Sequence, residues 1–168
     1  MKFFLLGFMG AGKSHWGRIW SHQHELDFFD LDHVIEKEAG KTIAQIFDEM
    51  GESIFRELEK HALHQFEGRD HFILSCGGGT PCFFNNMSWM NSNGITIYLK
   101  TPIEVLKERL RREQMHRPLI SSFNEEQLDL YIRRKLEERE NYYNKSAFIV
   151  ESDLVSPNTF TEIVNRYV

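Results

Sequence analysis

Residues 7–14 read GFMGAGKS and fill every fixed position of the pattern G-x-x-x-x-G-K-[ST]. The apolar run 2–6 before them predicts a buried β-strand, and segment 13–24 predicts a helix. Glycines in such a loop let backbone N–H groups point at phosphate oxygens, and the N-terminus of the following helix adds partial positive charge. Lys13 would then reach the β- and γ-phosphates, and the Ser14 hydroxyl would bind Mg²⁺. The sequence therefore predicts a strand–loop–helix unit that binds a nucleoside triphosphate together with Mg²⁺.

Short apolar runs alternate with helical segments along the rest of the chain. The predicted strands are 28–29, 72–75, 95–99 and 147–150, and the predicted helices are 33–39, 43–50, 52–66, 83–90, 102–112, 125–143 and 158–167. Continuous apolar strands that alternate with helices are typical of a parallel sheet covered on both faces. The pattern therefore predicts a three-layer α/β/α fold, and the length of 168 residues fits one domain, 1–168. In such sheets ligands bind at the carboxyl ends of the strands, where Gly7, Asp30 and Gly77 all fall.

The composition excludes several classes of protein. The formal net charge of −5 argues against a nucleic-acid partner bound through a general basic field. The two cysteines, Cys76 and Cys82, are too few for a disulfide scaffold, and they suit a reducing cytoplasm. No stretch approaches the ~20 apolar residues that span a membrane. We therefore expect a cytoplasmic monomer with no nucleic-acid and no membrane partner.

Three further motifs carry polar or glycine-rich character. Asp30 and Asp32 leave a strand end together, so one could stay near the metal while the other faces a second ligand. Arg56 and Glu59 are three residues apart on one predicted helix, so the carboxylate could orient the guanidinium to bind an anion bidentately. The glycines 77–79 let the backbone come very close to a ligand. Taken singly, the two aspartates are equally typical of solvated loop acids, the arginine and glutamate of a surface ion pair, and the glycines of a flexible turn.

Two alternatives remain for the class of phosphate-loop protein. A regulatory GTPase-like switch is suggested by the D-x-x-G pattern at 48–51 and by Asn144-Lys145. Neither fragment has the flanking residues that a GTPase needs. No strand precedes Asp48, and Ala147 stands where the base-reading carboxylate should be. Another small-molecule kinase, of the gluconate or nucleoside-monophosphate type, would need a different acceptor site.

The motifs taken together resemble the shikimate kinase family along nearly the whole chain. In chain order they are 7–14, 30–32, 51–59, 77–79, 117–119, and Arg139 with Tyr143. Six motifs in this order and spacing are highly specific, although no single one after the first is. The resemblance implies a P-loop NTPase fold of the nucleoside-monophosphate-kinase type with strand order 2-3-1-4-5. It also implies a substrate-binding region over about residues 31–60 and a mobile lid over about 113–124.

The resemblance implies an ATP:shikimate 3-phosphotransferase, which makes shikimate 3-phosphate and ADP in chorismate and aromatic amino acid biosynthesis. Ser14 and, through water, Asp30 would hold Mg²⁺. Asp32 would take the proton of the 3-hydroxyl, while Lys13 and Arg117 would act on the transferring phosphoryl group. The residues implied to contact shikimate are Asp32, Arg56, Gly78, Gly79 and Arg139.

The resemblance also implies a set of nucleotide contacts. These are Gly10, Ala11, Gly12, Lys13, Ser14, His15, Arg109 and Arg117. Arg109 is favoured over Arg111 and Arg112 as the arginine against adenine. The chain departs from the family in two ways. His15 stands where a threonine commonly helps to bind the α-phosphate, and the spacing from Arg109 to Arg117 is one residue longer than in many members.

Overall fold

A computed structural model describes residues 1–167, and a five-stranded sheet lies at its centre. The strands are β1 Lys2–Leu6, β2 Asp27–Asp30, β3 Phe72–Ser75, β4 Ile95–Lys100 and β5 Phe148–Glu151. Their order is β2-β3-β1-β4-β5, and every pairing is parallel. This confirms the predicted strand order and the predicted α/β class.

Helices cover both faces of the sheet. They are α1 Lys13–Gln23, α2 Leu31–Ala39, α3 Ile43–His64, α4 Asn86–Asn93, α5 Ile103–Glu113, α6 Glu125–Tyr143 and α7 Thr159–Tyr167. α3 joins two predicted helices, but Gly51 at its middle has φ 82° and ψ 170°, which breaks the helical path where the sequence predicted a stop. Among residues 1–167, no helix combines the length and the apolar character needed to cross a membrane.

The helix predicted at 83–90 is wrong in its position. The structure has a 3₁₀ turn at Thr80–Cys82 and starts α4 only at Asn86. Phe84 and Asn85 have φ values of 49° and 58°, in the left-handed region that an α-helix cannot include. The chain therefore turns sharply before α4 can begin.

The position of β1 in the middle of the sheet explains why its sequence is continuously apolar. Phe3 and Leu5 pack into a core cluster with Trp20 and Phe160, whereas Phe4 and Leu6 on the opposite face pack into a second cluster with residues such as Leu31 and Tyr143. These four side chains of β1 are fully buried. A strand between two helical layers needs apolar residues on both faces, and this burial fixes the edge at which β1 delivers its loop.

The register of the sheet aligns the strand ends that carry the motifs. Asp30, the last residue of β2, is paired with Ser75, the last residue of β3. Ser75 is in turn paired with Leu5 of β1, two residues before Gly7. Side chains from β2 and β3 therefore meet the phosphate loop at one edge of the sheet, as the sequence predicted.

Candidate active site

The phosphate loop joins β1 to the N-terminus of α1. Gly7, Gly10 and Gly12 have φ values of 143°, 80° and 92°, a backbone region that residues with a Cβ rarely adopt. At Gly7 a Cβ would also lie 2.9 Å from the carbonyl oxygen of Leu99. Ala11 differs from these glycines, since its side chain is buried in the core and its N–H donates to the Phe8 carbonyl at 3.1 Å.

Lys13 lies at the mouth of this loop. Its Nζ donates to the carbonyl oxygens of Gly7 at 2.8 Å and Phe8 at 2.9 Å. Desolvation lowers the pKa of Lys13 to about 8, although the charges of Asp32 and Asp30 oppose that shift. A partly desolvated ammonium is stabilised by any anion that approaches it, so this position favours phosphate oxygens.

Three side-chain oxygens gather beside the loop. Ser14 Oγ donates to Asp30 Oδ2 at 2.7 Å and lies 3.3 Å from Ser75 Oγ. The other oxygen of Asp30 accepts from the backbone N–H of Asp32 at 3.1 Å and so caps α2. One carboxylate oxygen is thereby fixed in the cap while the other faces Ser14.

This oxygen cluster fits Mg²⁺, which prefers oxygen ligands and takes several of them from phosphates and water. Ser14 and Asp30 would be the protein groups that hold the ion. Among residues 1–167, no cluster of three or more His, Cys, Asp or Glu side chains forms a metal site by itself. Two protein ligands, Ser14 and Asp30, suit a metal ion that a nucleotide also binds.

A cavity of about 510 Å³, the nucleotide cavity, extends from the phosphate loop towards α5. The predicted residues that line it are Gly10, Gly12, Lys13, Ser14, His15, Asp30, Asp32, Gly77, Gly78, Arg109 and Arg117. Of the predicted nucleotide contacts, Ala11 does not line it. His15 is exposed at its mouth, with its ring edge-on to Trp16 at 5.2 Å.

The structure separates the three arginines considered for adenine. Arg109 donates from Nη1 to the Gly10 carbonyl at 2.9 Å and lines the nucleotide cavity. Arg111 and Arg112 are exposed and form ion pairs with Glu125 and Glu108 instead. The nucleotide role of Arg109 stays a prediction, but its position agrees with that role and those of the other two do not.

A second cavity, of about 560 Å³, adjoins the first. Its predicted lining residues are Asp32, Arg56, Glu59, Gly77, Gly78, Gly79, Arg117 and Arg139. Asp32 and Arg117 line both cavities. A group bound in one cavity can therefore meet a group bound in the other beside these two side chains.

Arg56 is held rigidly in the second cavity. Its Nη1 donates to Glu59 at 2.8 Å, its Nη2 and Nε donate to Glu52 at 3.2 and 3.3 Å, and its guanidinium lies 4.2 Å from the centroid of the Phe83 ring. Arg56 and Glu59 are only 7% and 1% exposed, whereas the Glu52 side chain is 58% exposed. Glu59 therefore fixes the guanidinium, and the exposed Glu52 is the partner that an incoming anion can replace.

Two glycines let two arginines converge on the same backbone segment. A Cβ at Gly79 would lie 2.6 Å from Arg56 Nη2, and a Cβ at Gly78 would lie 2.9 Å from Arg139 Nη1. The Tyr143 hydroxyl donates to the Gly78 carbonyl at 2.5 Å and anchors the segment to α6. Side chains at these two positions would displace the guanidinium groups, so this arrangement of the two arginines requires glycine at both positions.

Asp32 lies where the two cavities meet. Desolvation by the cleft walls raises the pKa of this carboxyl to about 6, the charges of Asp30 and Glu59 add to the shift, and Lys13 opposes it. The side chain is nevertheless open to the cleft. A carboxylate with this pKa is ionised near neutral pH and accepts a proton more readily than an ordinary aspartate.

Arg117 sits on the segment predicted to form the lid. Its Nε donates to Glu113 at 2.9 Å, and its side chain is 34% exposed. The far end of this segment is anchored, because Ile120 is fully buried and the Gln114 amide donates to the Ile120 carbonyl at 2.8 Å. Mobility of the lid over 113–124 stays a prediction.

Several cavity residues had no signal strong enough to single them out in the sequence. Met9, Trp16, Ser75 and Glu113 line the nucleotide cavity, and Ile43, Ala44, Phe47 and Tyr131 line the second one. Ser75 could have been found, because it ends a strand at the edge where ligands bind. Met9 occupies a variable position of the phosphate loop, and the others lie on helices whose facing depends on long-range packing.

Comparison with known proteins identifies the family. The shikimate kinase family model matches residues 9–168. The curated shikimate kinase of Phocaeicola vulgatus is 41% identical over 152 residues, which cover 90% of this chain and 87% of that protein. The curated shikimate kinase of Flavobacterium psychrophilum is 33% identical over 167 residues, which cover 98% and 97%.

Solved structures agree with this match. The crystal structure of shikimate kinase from Bacteroides thetaiotaomicron has a TM-score of 0.89 at 36% identity and covers 99% of this chain and 96% of that one. Shikimate kinase from Acinetobacter baumannii in complex with shikimate has a TM-score of 0.86 at 30% identity, covering 99% and 91%. Deoxyadenosine kinase from M. mycoides, at 17% identity and a TM-score of 0.60, shares the fold. The chain therefore belongs to the shikimate kinase family.

Proposed function

We propose that this protein transfers the γ-phosphoryl group of MgATP to the 3-hydroxyl of shikimate, giving shikimate 3-phosphate and ADP. The observation that carries the proposal is the meeting of the two cavities at Asp32 and Arg117, with Arg56 and Arg139 converging in the second cavity. The reaction is a step of chorismate and aromatic amino acid biosynthesis. Membership of the shikimate kinase family supports the same reaction.

The chemistry of the second cavity, which would be the acceptor cavity, suits shikimate. Shikimate carries one carboxylate and three hydroxyls on a small ring. The guanidinium groups of Arg56 and Arg139 offer forks for the carboxylate, and Asp32 offers acceptor oxygens for the hydroxyls. Glu52 would release Arg56 as the carboxylate arrives, while Glu59 keeps the guanidinium in place.

The nucleotide cavity suits a triphosphate with Mg²⁺. Lys13 and the N–H groups of the loop and of the start of α1 would hold the β- and γ-phosphates, and Arg109 would lie against adenine. Ser14 and Asp30 would hold Mg²⁺, which supplies neutralisation of the phosphate charge. An acidic protein can bind two anions here because five cationic side chains line the two cavities: Lys13, Arg56, Arg109, Arg117 and Arg139.

The transfer follows from the position of Asp32 between the cavities. Its carboxylate takes the proton of the 3-hydroxyl as that oxygen attacks the γ-phosphorus, and the bond from phosphorus to the bridging oxygen of ADP breaks. Lys13 and Arg117 offset the charge on the transferring group. The proton remains on Asp32 until product leaves, and then passes to water.

We further propose that the enzyme acts as a monomer in the cytoplasm. Both cysteines are free in the structure, and Cys76 is buried. Free thiols are typical of a reducing compartment. Gel filtration with light scattering at micromolar concentration tests the oligomeric state, and a dimer would contradict that part of the proposal.

The experiment that tests the reaction is ADP release with MgATP and, in parallel, shikimate, gluconate, AMP or no acceptor. We expect release that depends on shikimate, and ³¹P NMR should show the phosphate on the 3-hydroxyl. Release with gluconate or AMP but not with shikimate would sink the proposal and favour another small-molecule kinase. Acceptor-independent hydrolysis with a preference for GTP would favour a switch protein instead.

A further inference from the structure

We propose that Thr80 is a positioning residue that fixes the acceptor-binding Arg56 through Glu59. The proposal rests on the proposed function, since Arg56 matters here as the arginine that binds the carboxylate of the acceptor. Thr80 lies outside the motifs that identify the site, and it does not line either cavity. It therefore acts through another residue.

Thr80 and Arg56 hold the two oxygens of one carboxylate. Thr80 Oγ1 donates to Glu59 Oε1 at 2.7 Å, and Arg56 Nη1 donates to Glu59 Oε2 at 2.8 Å. Thr80 and Glu59 are 0% and 1% exposed, so water does not compete for either contact. With both oxygens occupied, the Glu59 carboxylate has one orientation, and that orientation sets the guanidinium.

The Thr80 hydroxyl is itself held in a fixed place. The Thr80 N–H donates to the Gly77 carbonyl at 3.1 Å, and its carbonyl accepts from the Asn86 amide at 2.9 Å. Pro81 follows and restricts the backbone of the turn. The hydroxyl is therefore delivered to Glu59 by a rigid turn between β3 and α4.

Gly77 is what allows the contact. A Cβ on this residue would lie 3.0 Å from Glu59 Oε1 and 3.1 Å from Thr80 Oγ1. Both distances are tighter than ordinary contacts of a Cβ, so a side chain would push the two oxygens away. This gives the first glycine of 77–79 a role distinct from the other two, which make room for guanidinium groups.

Loss of the hydroxyl should weaken acceptor binding selectively. A buried carboxylate oxygen without a donor is unfavourable, so Glu59 would turn and Arg56 would lose its fixed partner. The remaining partner, Glu52, is exposed and is the one that the acceptor replaces. Neither Thr80 nor Glu59 lines the nucleotide cavity, so nucleotide binding should not change.

The test compares Thr80→Val, which removes the hydroxyl at similar shape, with Thr80→Ser, which keeps it. For Thr80→Val we expect the KM for shikimate to rise about fivefold to tenfold, while kcat and the KM for MgATP stay within about twofold. Thr80→Ser should restore the KM for shikimate. If Thr80→Val does not fold, Thr80→Ala removes the same hydroxyl without the bulk and carries the same expectation.

Thr96→Val is the matched control, because Thr96 is also fully buried and donates to Asn91 at 2.6 Å, away from both cavities. We expect this variant to lose thermal stability and to keep both KM values. An unchanged KM for shikimate in Thr80→Val, or an equal rise in both KM values that tracks stability as in the control, would overturn the proposal.

NMR of the Arg56 side-chain Nε–H separates this inference from the proposed function. We expect one sharp signal in the wild type and a broadened or shifted one in Thr80→Val, with no change in Thr96→Val. A wild-type protein that does not phosphorylate shikimate would contradict the proposed function, while this signal would still test the positioning. An active wild type with identical Arg56 signals in all variants would contradict the positioning alone.

Discussion

Two arginines of the cleft are held in opposite ways. Arg56, at the acceptor end, is 7% exposed, bonds to the buried Glu59 at 2.8 Å and lies over the Phe83 ring. The side chain of Arg117, on the predicted lid, is 34% exposed and, among residues 1–167, pairs with Glu113 alone, one helical turn before it. The guanidinium of Arg56 is therefore fixed in the structure, whereas that of Arg117 is held by one surface contact.

The difference matches what each group would do. An arginine that only has to recognise a carboxylate gains affinity from being fixed, because little conformational entropy is lost on binding. An arginine that must approach a phosphoryl group and then withdraw needs a resting partner that it can leave. Exposed ion pairs contribute little to stability, so the pair between Arg117 and Glu113 is easily exchanged.

Replacement of Asp32 tests the point where the two ends meet. Asp32→Asn removes the proton acceptor but keeps the shape, so we expect kcat with shikimate to fall by about 10²–10⁴ and the KM for MgATP to change little. Steady-state ADP release measures both. Asp48→Asn is the matched control, because Asp48 lines the acceptor cavity as another exposed aspartate and should leave kcat unchanged. An Asp32→Asn enzyme with more than about a tenth of wild-type kcat would falsify the assigned role.

Lysine in place of each arginine tests the contrast between them directly. Arg56→Lys keeps the charge but loses the fork that Glu59 orients, so kcat/KM for shikimate should fall about 10- to 100-fold. Arg117→Lys should lose less than about tenfold, because a mobile group needs its charge more than a fixed geometry. Arg112→Lys is the control, since Arg112 is exposed, pairs with Glu108 and lines neither cavity. Equal losses at Arg56 and Arg117 would show that the two ends are not organised differently.

The pH profile tests the charges at the centre of the cleft. The pKa of Asp32 is raised to about 6, and only the ionised form accepts a proton, so log(kcat/KM) for shikimate should fall with unit slope below about pH 6. The pKa of Lys13 is lowered to about 8, so kcat/KM for MgATP should fall above about pH 8 as the ammonium is lost. In the pH profile of kcat, the fall at high pH should move to a higher pH, because bound phosphates stabilise the charged form of Lys13. A flat profile from pH 5 to 7, with circular dichroism unchanged, would rule out Asp32 as the base.

The same contrast separates what the sequence could predict from what it could not. The bounds of β3 and α6 followed from local patterns. The strand order, and the predicted site residues that line the two cavities, followed from the family resemblance that the order of the motifs carries. The start of α4 did not, because Phe84 and Asn85 adopt left-handed conformations that no motif encodes. The resemblance favoured Arg109 among three arginines, but the contact that holds it at the phosphate loop, a hydrogen bond to Gly10 99 residues away in the chain, leaves no local signal.

The network behind Arg56 was predictable only in part. The i, i+3 spacing of Arg56 and Glu59 indicated that pair before the structure was known. The contact between Glu59 and Thr80 spans 21 residues and depends on the turn that follows β3, so sequence spacing carries no signal for it. Local periodicity thus finds pairs on one helix, whereas the packing between elements decides which of those pairs is fixed.

The smallest effect tests the resting partner of the lid arginine. Glu113→Gln removes the charge that holds Arg117, so Arg117 should meet the phosphates more easily and the KM for MgATP should fall about twofold, the scale of an exposed i, i+4 pair. Glu108→Gln is the matched control, because Glu108 forms the corresponding pair with Arg112 outside both cavities. Salt should reduce the difference between Glu113→Gln and the wild type, since exposed pairs are screened. A rise in the KM for MgATP, or an equal change in the control, would mean that Glu113 does not compete with the nucleotide for Arg117. The lid would then owe its resting position to the anchored residues at its far end, among them Ile120, which is fully buried.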